Sequence, residues 1–388
     1  MQKKYERKSN ESDYDYGLRL ITIKVEERPD DLEWGDIVDL LHLDIHRDTL
    51  RKSVTGSPYS GYAVMKHFQE TGGNADLIEL KKATIQMRDE RNELNKKYRE
   101  ISRNSKMLDM FKEIITSNVS CMFQPNKIMP RTTDNDMVVL LSDIHYGIGI
   151  DSSFNKCDKV IIQERLEQYL TEIKQIQSTH HSQDCYLVLG GDLISGAIHS
   201  QIRMENIENV ITQIKEISVL LSCFVNELSQ LFFKVHVFET PGNHSRLFPN
   251  KAENQKGDLL DTLIPHYLKA ALQNQSNVRF YVNTIDDEVC SFTVRGHHVM
   301  GVHGDKDSTS TVVDNMKRLA GYTPDIIVTA HRHTNALTTI NDTKIVQNGC
   351  LSGTDNYAVS KRLINRPEQT VFIVSEKQKI VCLYDITF

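Results

Sequence analysis

Cysteine pairs, membrane spans and repeats are all missing from this chain of 388 residues. Its seven cysteines, at 121, 157, 185, 223, 290, 350 and 382, are scattered and never spaced C-x-x-C. That spacing argues against a disulfide frame or a zinc ribbon and points to reduced thiols in a cytoplasmic setting. No apolar run approaches the ~20 residues that cross a bilayer, so no membrane partner is expected. The opening stretch MQKKYERKSNESDYDYG has no apolar segment of the secretory kind. Tryptophan occurs once and aromatics make up only 7%. The net charge of -6 gives no overall basic signature, so any nucleic-acid binding must rest on local patches.

What the chain does contain changes along its length. Residues 1–30 are charged and read as a polar tail, with one short strand at LRLITIKV. From 31 to 75, DLEWGDIVDLLHLDIHRDTLRKSV carries Trp34, Ile37, Leu40 and Leu41 at helical spacing, then Ile45, Leu50 and Val54 in a second helix bearing Arg47, Arg51 and Lys52. Two short helices followed by the turn cluster TGSPYSG resemble a helix-turn-helix domain, whose second helix would read nucleic acid.

Residues 76–118 place Leu80, Met87, Leu94, Ile101, Leu108 and Ile115 seven apart. Between 81 and 106, nine Lys/Arg stand against four Asp/Glu, a net of five positive charges. The expectation is a long basic helix, either a homodimerising arm or a surface that tracks a phosphate backbone. Residues 119–135, with two prolines, read as a linker.

Residues 136–388 alternate apolar runs with helical patterns. Strands are expected at 137–141, 185–190 and 234–239, and helices at 160–178, 203–231 and 257–273. A β-rich remainder follows, with hairpins around RGHH (295–298) and SEKQK (375–379). His180, His181, His297 and His298 read as solvent-facing loop histidines. In such α/β layouts chemistry gathers beyond the carboxyl ends of strands. Each expected end carries ligand-type residues: Asp143 and His145, then Asp192, then Asn243 and His244, then His303, then His331 and His333. As i and i+2 of an extended segment, His331 and His333 would share one face. Two Asp, one Asn and several His suit divalent cations, which would also relieve the repulsion between Asp143 and Asp192. No thiolate stands among them, which argues against structural zinc.

The ordered motifs SDIH, GGDL, PGNH, GVHGD and AHRH resemble the calcineurin-like metallophosphoesterase superfamily. The resemblance covers about 136–388 and implies an α/β fold, a four-layer α-β-β-α core joined here to a small helical N-terminal domain. It implies two divalent metal ions, Mn²⁺ first, with Fe, Zn, Ni, Co or Mg as other occupants. Asp143, His145, Asp192 and His333 would hold one ion, and Asp192, Asn243, His303 and His331 the other. The ions would activate water for in-line attack on phosphorus, and His244 would contact the phosphoryl group or protonate the leaving oxygen. The arrangement also looks like phosphoesterases encoded by bacteriophages and their hosts.

This sequence departs from the pattern at several points. Ala330 stands where H-x-H usually follows Gly. After Asp192 the run Leu193-Ile194-Ser195-Gly196 lacks the acidic or amide residue and arginine of the protein phosphatases. Ser195 also stands where the family's repair exonucleases carry histidine, a role His199 could fill only if its loop bends inward. Arg246, Tyr357 and Arg362 are expected at the substrate, with Lys361 and Arg366 nearby. The leading expectation is a metal-dependent phosphodiesterase acting on nucleic acid, a nuclease. The alternatives are a hydrolase of small phosphoesters or cyclic or linear dinucleotides, and a DNA-binding or scaffolding protein with little activity.

Overall fold

The computed structural model describes residues 3–55, 85–95, 123–125, 128–130, 132–198, 200–254 and 256–388. The chain divides into two units, Met1–Arg99 and Glu100–Phe388.

In the first unit the expected polar tail is a folded helix. α1 (Asp13–Thr22) starts where the Ser12 side chain accepts from the Asp15 amide, with Asp13 and Asp15 in the first turn to suit the helix dipole. The run LRLITIKV fits period 2 and period 3.6 equally well, and the cap decides for helix. Tyr5, Tyr16, Leu18, Leu20 and Ile21 are buried. Tyr5 donates to Asp31 at 2.6 Å, and Arg19 pairs with Glu11 at 2.6 Å. The two short helices expected next are present as α2 (Trp34–Leu40) and α3 (Arg47–Thr55). Leu32, Ile37, Leu50 and Val54 join the α1 residues in one small core. Arg47, Arg51 and Lys52 are exposed. Residues 85–95 form an exposed helix, α4; the rest of the expected basic helix lies outside the described residues.

The second unit is mixed α/β with two large sheets. Its strands are β1 (Asn135–Leu141), β2 (Ile150–Asp151), β3 (Lys156–Cys157), β4 (Asp184–Leu189), β5 (Lys234–Glu239), β6 (Val278–Phe280), β7 (Val289–Val294), β8 (His297–Val302), β9 (Ile326–Thr329), β10 (Ala336–Ile340), β11 (Thr343–Gln347), β12 (Glu368–Ser375) and β13 (Cys382–Thr387). The larger sheet runs β13-β12-β1-β4-β5-β6 and the smaller β10-β11-β9-β8-β7. β1, β4, β5 and β6 pair in parallel, as do β8, β9 and β11.

Two helices explain the near-continuous apolar strands. α5 (Lys159–His180) is capped by Asp158, which accepts from Val160 and Ile161 amides, and buries Ile162, Leu166, Tyr169, Ile173 and Ile176. α7 (Val210–Ser229) buries Ile214, Ile217, Leu221 and Phe224 in the same core. The single helix expected over 203–231 is broken: α6 (Ser200–Glu205) ends, and Asn209 caps α7 by accepting from Thr212. Asn206 there donates to Gly196 O at 2.6 Å instead of continuing the helix.

A second core draws Val138, Leu140, Val188 and Phe238 from the larger sheet and Val299, Ile326, Val328 and Val346 from the smaller. α8 (Leu263–Ala271) joins the first core, while α9 (Val312–Ala320) covers Met300, Ile327 and Ile345. α10 (Asn356–Ser360) is a short surface turn. His297 and His298 open β8 instead of lying in a loop, and His180 ends α5 with Nε2 2.6 Å from Tyr384 Oη. No helix among the described residues is long and apolar enough to cross a membrane.

Candidate metal centre

Parallel pairing sends the carboxyl ends of β1, β4 and β5 to one edge, and those of β8, β9 and β11 likewise. The chain continues the pairing beyond the strands. Asp143 donates its amide to Gly191 O at 3.0 Å, His145 donates to Asp192 O at 3.0 Å, and Ala330 donates to His303 O at 2.9 Å. The residues expected as ligands therefore meet.

On one side, His145 Nε2 and His333 Nε2 are 3.2 Å apart. Asp143 Oδ1 lies 3.3 Å from the His333 nitrogen and 3.9 Å from that of His145. On the other side, Asp192 Oδ2 lies 3.1 Å from His303 Nε2, which is 3.3 Å from Asn243 Oδ1. His331 groups with Asp192 and His303, not with His333. The expectation that both histidines share a strand face is corrected here. β9 stops at Thr329, and His331 and His333 take φ of 68° and 58°, so the turn sends the two rings to opposite ends of the cluster.

Three observations indicate that the cluster is built for cations. Asp143 Oδ1, Asp192 Oδ2 and His331 Nδ1 are buried without a hydrogen bond of regular geometry, the two carboxylate oxygens meeting imidazole nitrogens alone; an unsatisfied buried polar atom costs ~1–3 kcal/mol. Asp143, His145, Asp192, His331 and His333 all have positive φ, a conformation that costs non-glycine residues of order 1–3 kcal/mol and clusters at functional sites. Finally, the backbone leaves no room for change behind Asp192: a Cβ on Gly242 would collide with the Asp192 amide and carboxylate.

The electrostatics agree. Burial, with the neighbouring His244, holds His145 well below the ordinary histidine range, so it presents a free lone pair. Burial likewise lowers His331. Burial works against the Asp192 carboxylate, yet His303 and His244 keep it well below its usual range. For His303 burial also opposes charge, but Asp192 outweighs it and lifts the imidazole to about 10. A proton thus stands where a cation would neutralise Asp192. The donor set of carboxylate, imidazole and amide oxygen is one that divalent cations accept.

His244 sits above this set. Its Nδ1 is 3.0 Å from Ser195 O, its amide donates to Asp192 Oδ1 at 2.8 Å, and its ring lies edge-on to His145 at 4.5 Å. Its Nε2 stays 4.0 Å from Asp192 Oδ2, and one of its ring nitrogens lies within 4.8 Å of donor atoms on His145 and Asp192. Arg246 donates to Asn243 O at 2.8 Å and, with Asn243 and His303, lines a cavity of about 690 Å³. Tyr357 and Arg362 do not line that cavity; Tyr357 is 54% exposed with Lys361 5.6 Å over its ring. His199 lies outside the described residues.

Two buried residues at the site escaped the sequence reading. Asp261 accepts from the Gly242 amide at 3.0 Å, and burial beside Asp192 pushes its carboxyl up to about 7. The signal was an isolated acid within the apolar run LLDTLI. Cys350 stands in the Gly-flanked run NGCLSG and reaches the His145–His333 pair.

No family model matches the chain. A curated relative, the SPbeta prophage-derived uncharacterized protein YonJ of Bacillus subtilis, is 21% identical over 308 residues, 74% of this chain and 75% of that protein. Among solved structures, a novel archaeal phosphodiesterase aligns at 12% identity over 65% of this chain and 99% of its own, with a TM-score of 0.33. Vps29 from Entamoeba histolytica, complexed with zinc, aligns at 13% over 65% and 98%, with a TM-score of 0.29. A predicted phosphoesterase from Streptococcus pneumoniae aligns at 10% over 66% and 98%, with a TM-score of 0.27.

Proposed function

We propose that this protein is a two-metal phosphodiesterase of the calcineurin-like kind. The observation that carries the reading is the convergence of seven expected ligands around bare acceptor atoms on Asp143, Asp192 and His331. Asp143, His145, Asp192 and His333 would hold one ion; Asp192, Asn243, His303 and His331 would hold the other. Bound there, such ions act as Lewis acids and lower the pKa of water.

The chain's own residues do the rest. Ser195 O orients the His244 ring, which contacts the phosphoryl oxygen or supplies a proton to the leaving oxygen from Nε2. Arg246 has no carboxylate partner among the described residues and would meet phosphate charge at the cavity mouth. Asp261 fixes the Gly242 turn and so the position of Asn243.

Nucleic acid is the substrate class we favour, on the net positive stretch 81–106 and the exposed Arg47, Arg51 and Lys52. One observation supports a second reading, a small diester such as a dinucleotide. Three of the cavity's cations are already neutralised, Lys251 by Asp305, Lys256 by Asp286 and Lys306 by Glu288, which leaves less charge for a polyanion. We further infer a cytoplasmic, phage- or prophage-encoded protein, for which the free cysteines and the name of the curated relative are the support.

The test is hydrolysis with Mn²⁺ of bis-p-nitrophenyl phosphate, p-nitrophenyl phosphate, single- and double-stranded DNA, RNA and cyclic dinucleotides, with His244→Ala as control. Cleavage of polymers that is lost in the variant supports the nuclease. Turnover of small diesters alone moves the substrate to the second reading. Inactivity on every ester with metal bound would leave a binding or scaffolding protein.

A further inference from the structure

β11 pairs in parallel with β9, so the loop after β11 leaves the sheet at the same edge as His331 and His333. That loop carries Cys350, which is 1% exposed. Its Sγ and one ring nitrogen each from His145 and His333 all lie within 4.8 Å of one another. Asp143 Oδ1, bare of hydrogen bonds, is 3.3 Å from His333 Nε2 on the same side of the cluster. Around a tetrahedral ion with Zn–S ≈ 2.3 Å and Zn–N ≈ 2.0–2.1 Å, sulfur and nitrogen stand about 3.5 Å apart. The three donors lie within 4.8 Å of one another without an ion to draw them in.

The surroundings of Cys350 suit either form of the sulfur. As a thiol, Sγ donates to Asp143 O at 3.1 Å. The Ser352 hydroxyl, 3.1 Å away, can turn to donate to a thiolate. The mixture of one thiolate, two imidazoles and two carboxylates is softer than the oxygen-rich shells that suit Mn²⁺ or Mg²⁺.

We propose that Cys350 is a thiolate ligand of the first cation position, alongside Asp143, His145, Asp192 and His333, and that it biases this position toward Zn²⁺, Fe²⁺ or Co²⁺ over Mn²⁺. The inference rests on the two-cation reading above. On binding, the S–H bond breaks, its proton passes to solvent, and sulfur supplies both electrons of the new bond; no redox change is involved. The expected preference for Mn²⁺ is thereby narrowed to the second position, which has no sulfur.

The experiment is anaerobic Co²⁺ titration of the full-length, metal-free protein, followed by absorption. Weak visible bands report Co²⁺ on any tetrahedral or five-coordinate ligand set, while an intense near-ultraviolet charge-transfer band requires a thiolate. The wild type should show both, and Cys350→Ser should keep the visible bands and lose the near-ultraviolet one. Its Zn²⁺ affinity should fall by at least about tenfold, the loss that outer partners alone cause. Visible bands without the near-ultraviolet band in the wild type, or that band intact in Cys350→Ser, would overturn the Cys350 assignment and leave the two-cation reading standing. No cobalt spectrum at all would sink both. If Cys350→Ser fails to fold, X-ray absorption on the zinc-loaded wild type decides: a sulfur shell at ~2.3 Å supports the proposal, and nitrogen and oxygen alone overturn it.

Discussion

The Nε2 atoms of His145 and His333 face each other at 3.2 Å, with the bare Asp143 Oδ1 on the same side. At most one proton fits between two such nitrogens, and the pair is far better served by a cation. Ion binding to the native state should therefore stabilise it. A free ion at a hundredfold excess over its Kd adds about 2.7 kcal/mol, at roughly 2–4 °C per kcal/mol for a domain of this order. Chelator-treated protein should melt several degrees lower by calorimetry and recover on adding Zn²⁺ or Mn²⁺. An unchanged melting temperature at saturating ion would count against the site.

Asp192 and Gly242 form one unit, because the glycine leaves the space that the carboxylate fills. Gly242→Ala should cost the protein both ions while the far strands stay paired, and Asp192→Asn should weaken binding of both ions together. Metal analysis after gel filtration tests this. A variant that keeps two ions per chain would remove Asp192 from the bridging role.

His244 touches substrate in our reading but belongs to neither ligand set. His244→Ala should lower hydrolysis by ~10²–10⁴-fold, the range for a general acid–base group, with metal content unchanged. Loss of metal along with activity would make His244 a ligand instead.

Asp261 offers a pH test in the metal-free protein. Its folded value of about 7 lies above the ordinary carboxylate range, with burial and Asp192 as the causes. The native state therefore holds a proton that the unfolded chain has released, and stability falls as pH rises from about 4 toward 7. Asp261→Asn should flatten that slope, read as urea midpoints at pH 5 and 7.5. Parallel slopes in both proteins would reject the assignment.

In the first unit, Leu20 is wholly buried among Tyr16, Ile37 and Leu50. Leu20→Ala should destabilise that unit by ~2–5 kcal/mol, visible as loss of helical circular dichroism from Met1–Arg99. A silent substitution would restore the view of residues 1–30 as a tail.

The meeting of these side chains was legible because every expected ligand follows an apolar run at a strand's end, where the run gives way to Asp, Asn or His. Its outer parts were not. Asp261 is distant in sequence from what it supports, and Cys350 is one of seven scattered cysteines with no ligand spacing to mark it. The opposite aims of His331 and His333 depend on two left-handed backbone positions that no period reveals. α1 was misread because five apolar residues in eight satisfy both periods, and only the Ser12 cap breaks the tie.

In the proposed arrangement each cation position would take ligands from both sheets. Asp143 and His145 leave the larger one and His333 the smaller; Asp192 and Asn243 leave the larger one, His303 and His331 the smaller. Bound ions would therefore act as clasps across the seam of the sandwich, closing very long loops of chain and removing much of the freedom of a partly opened state. The same atoms that serve the chemistry would then set how readily the two halves come apart, and proteolysis of the metal-free protein would begin at that seam.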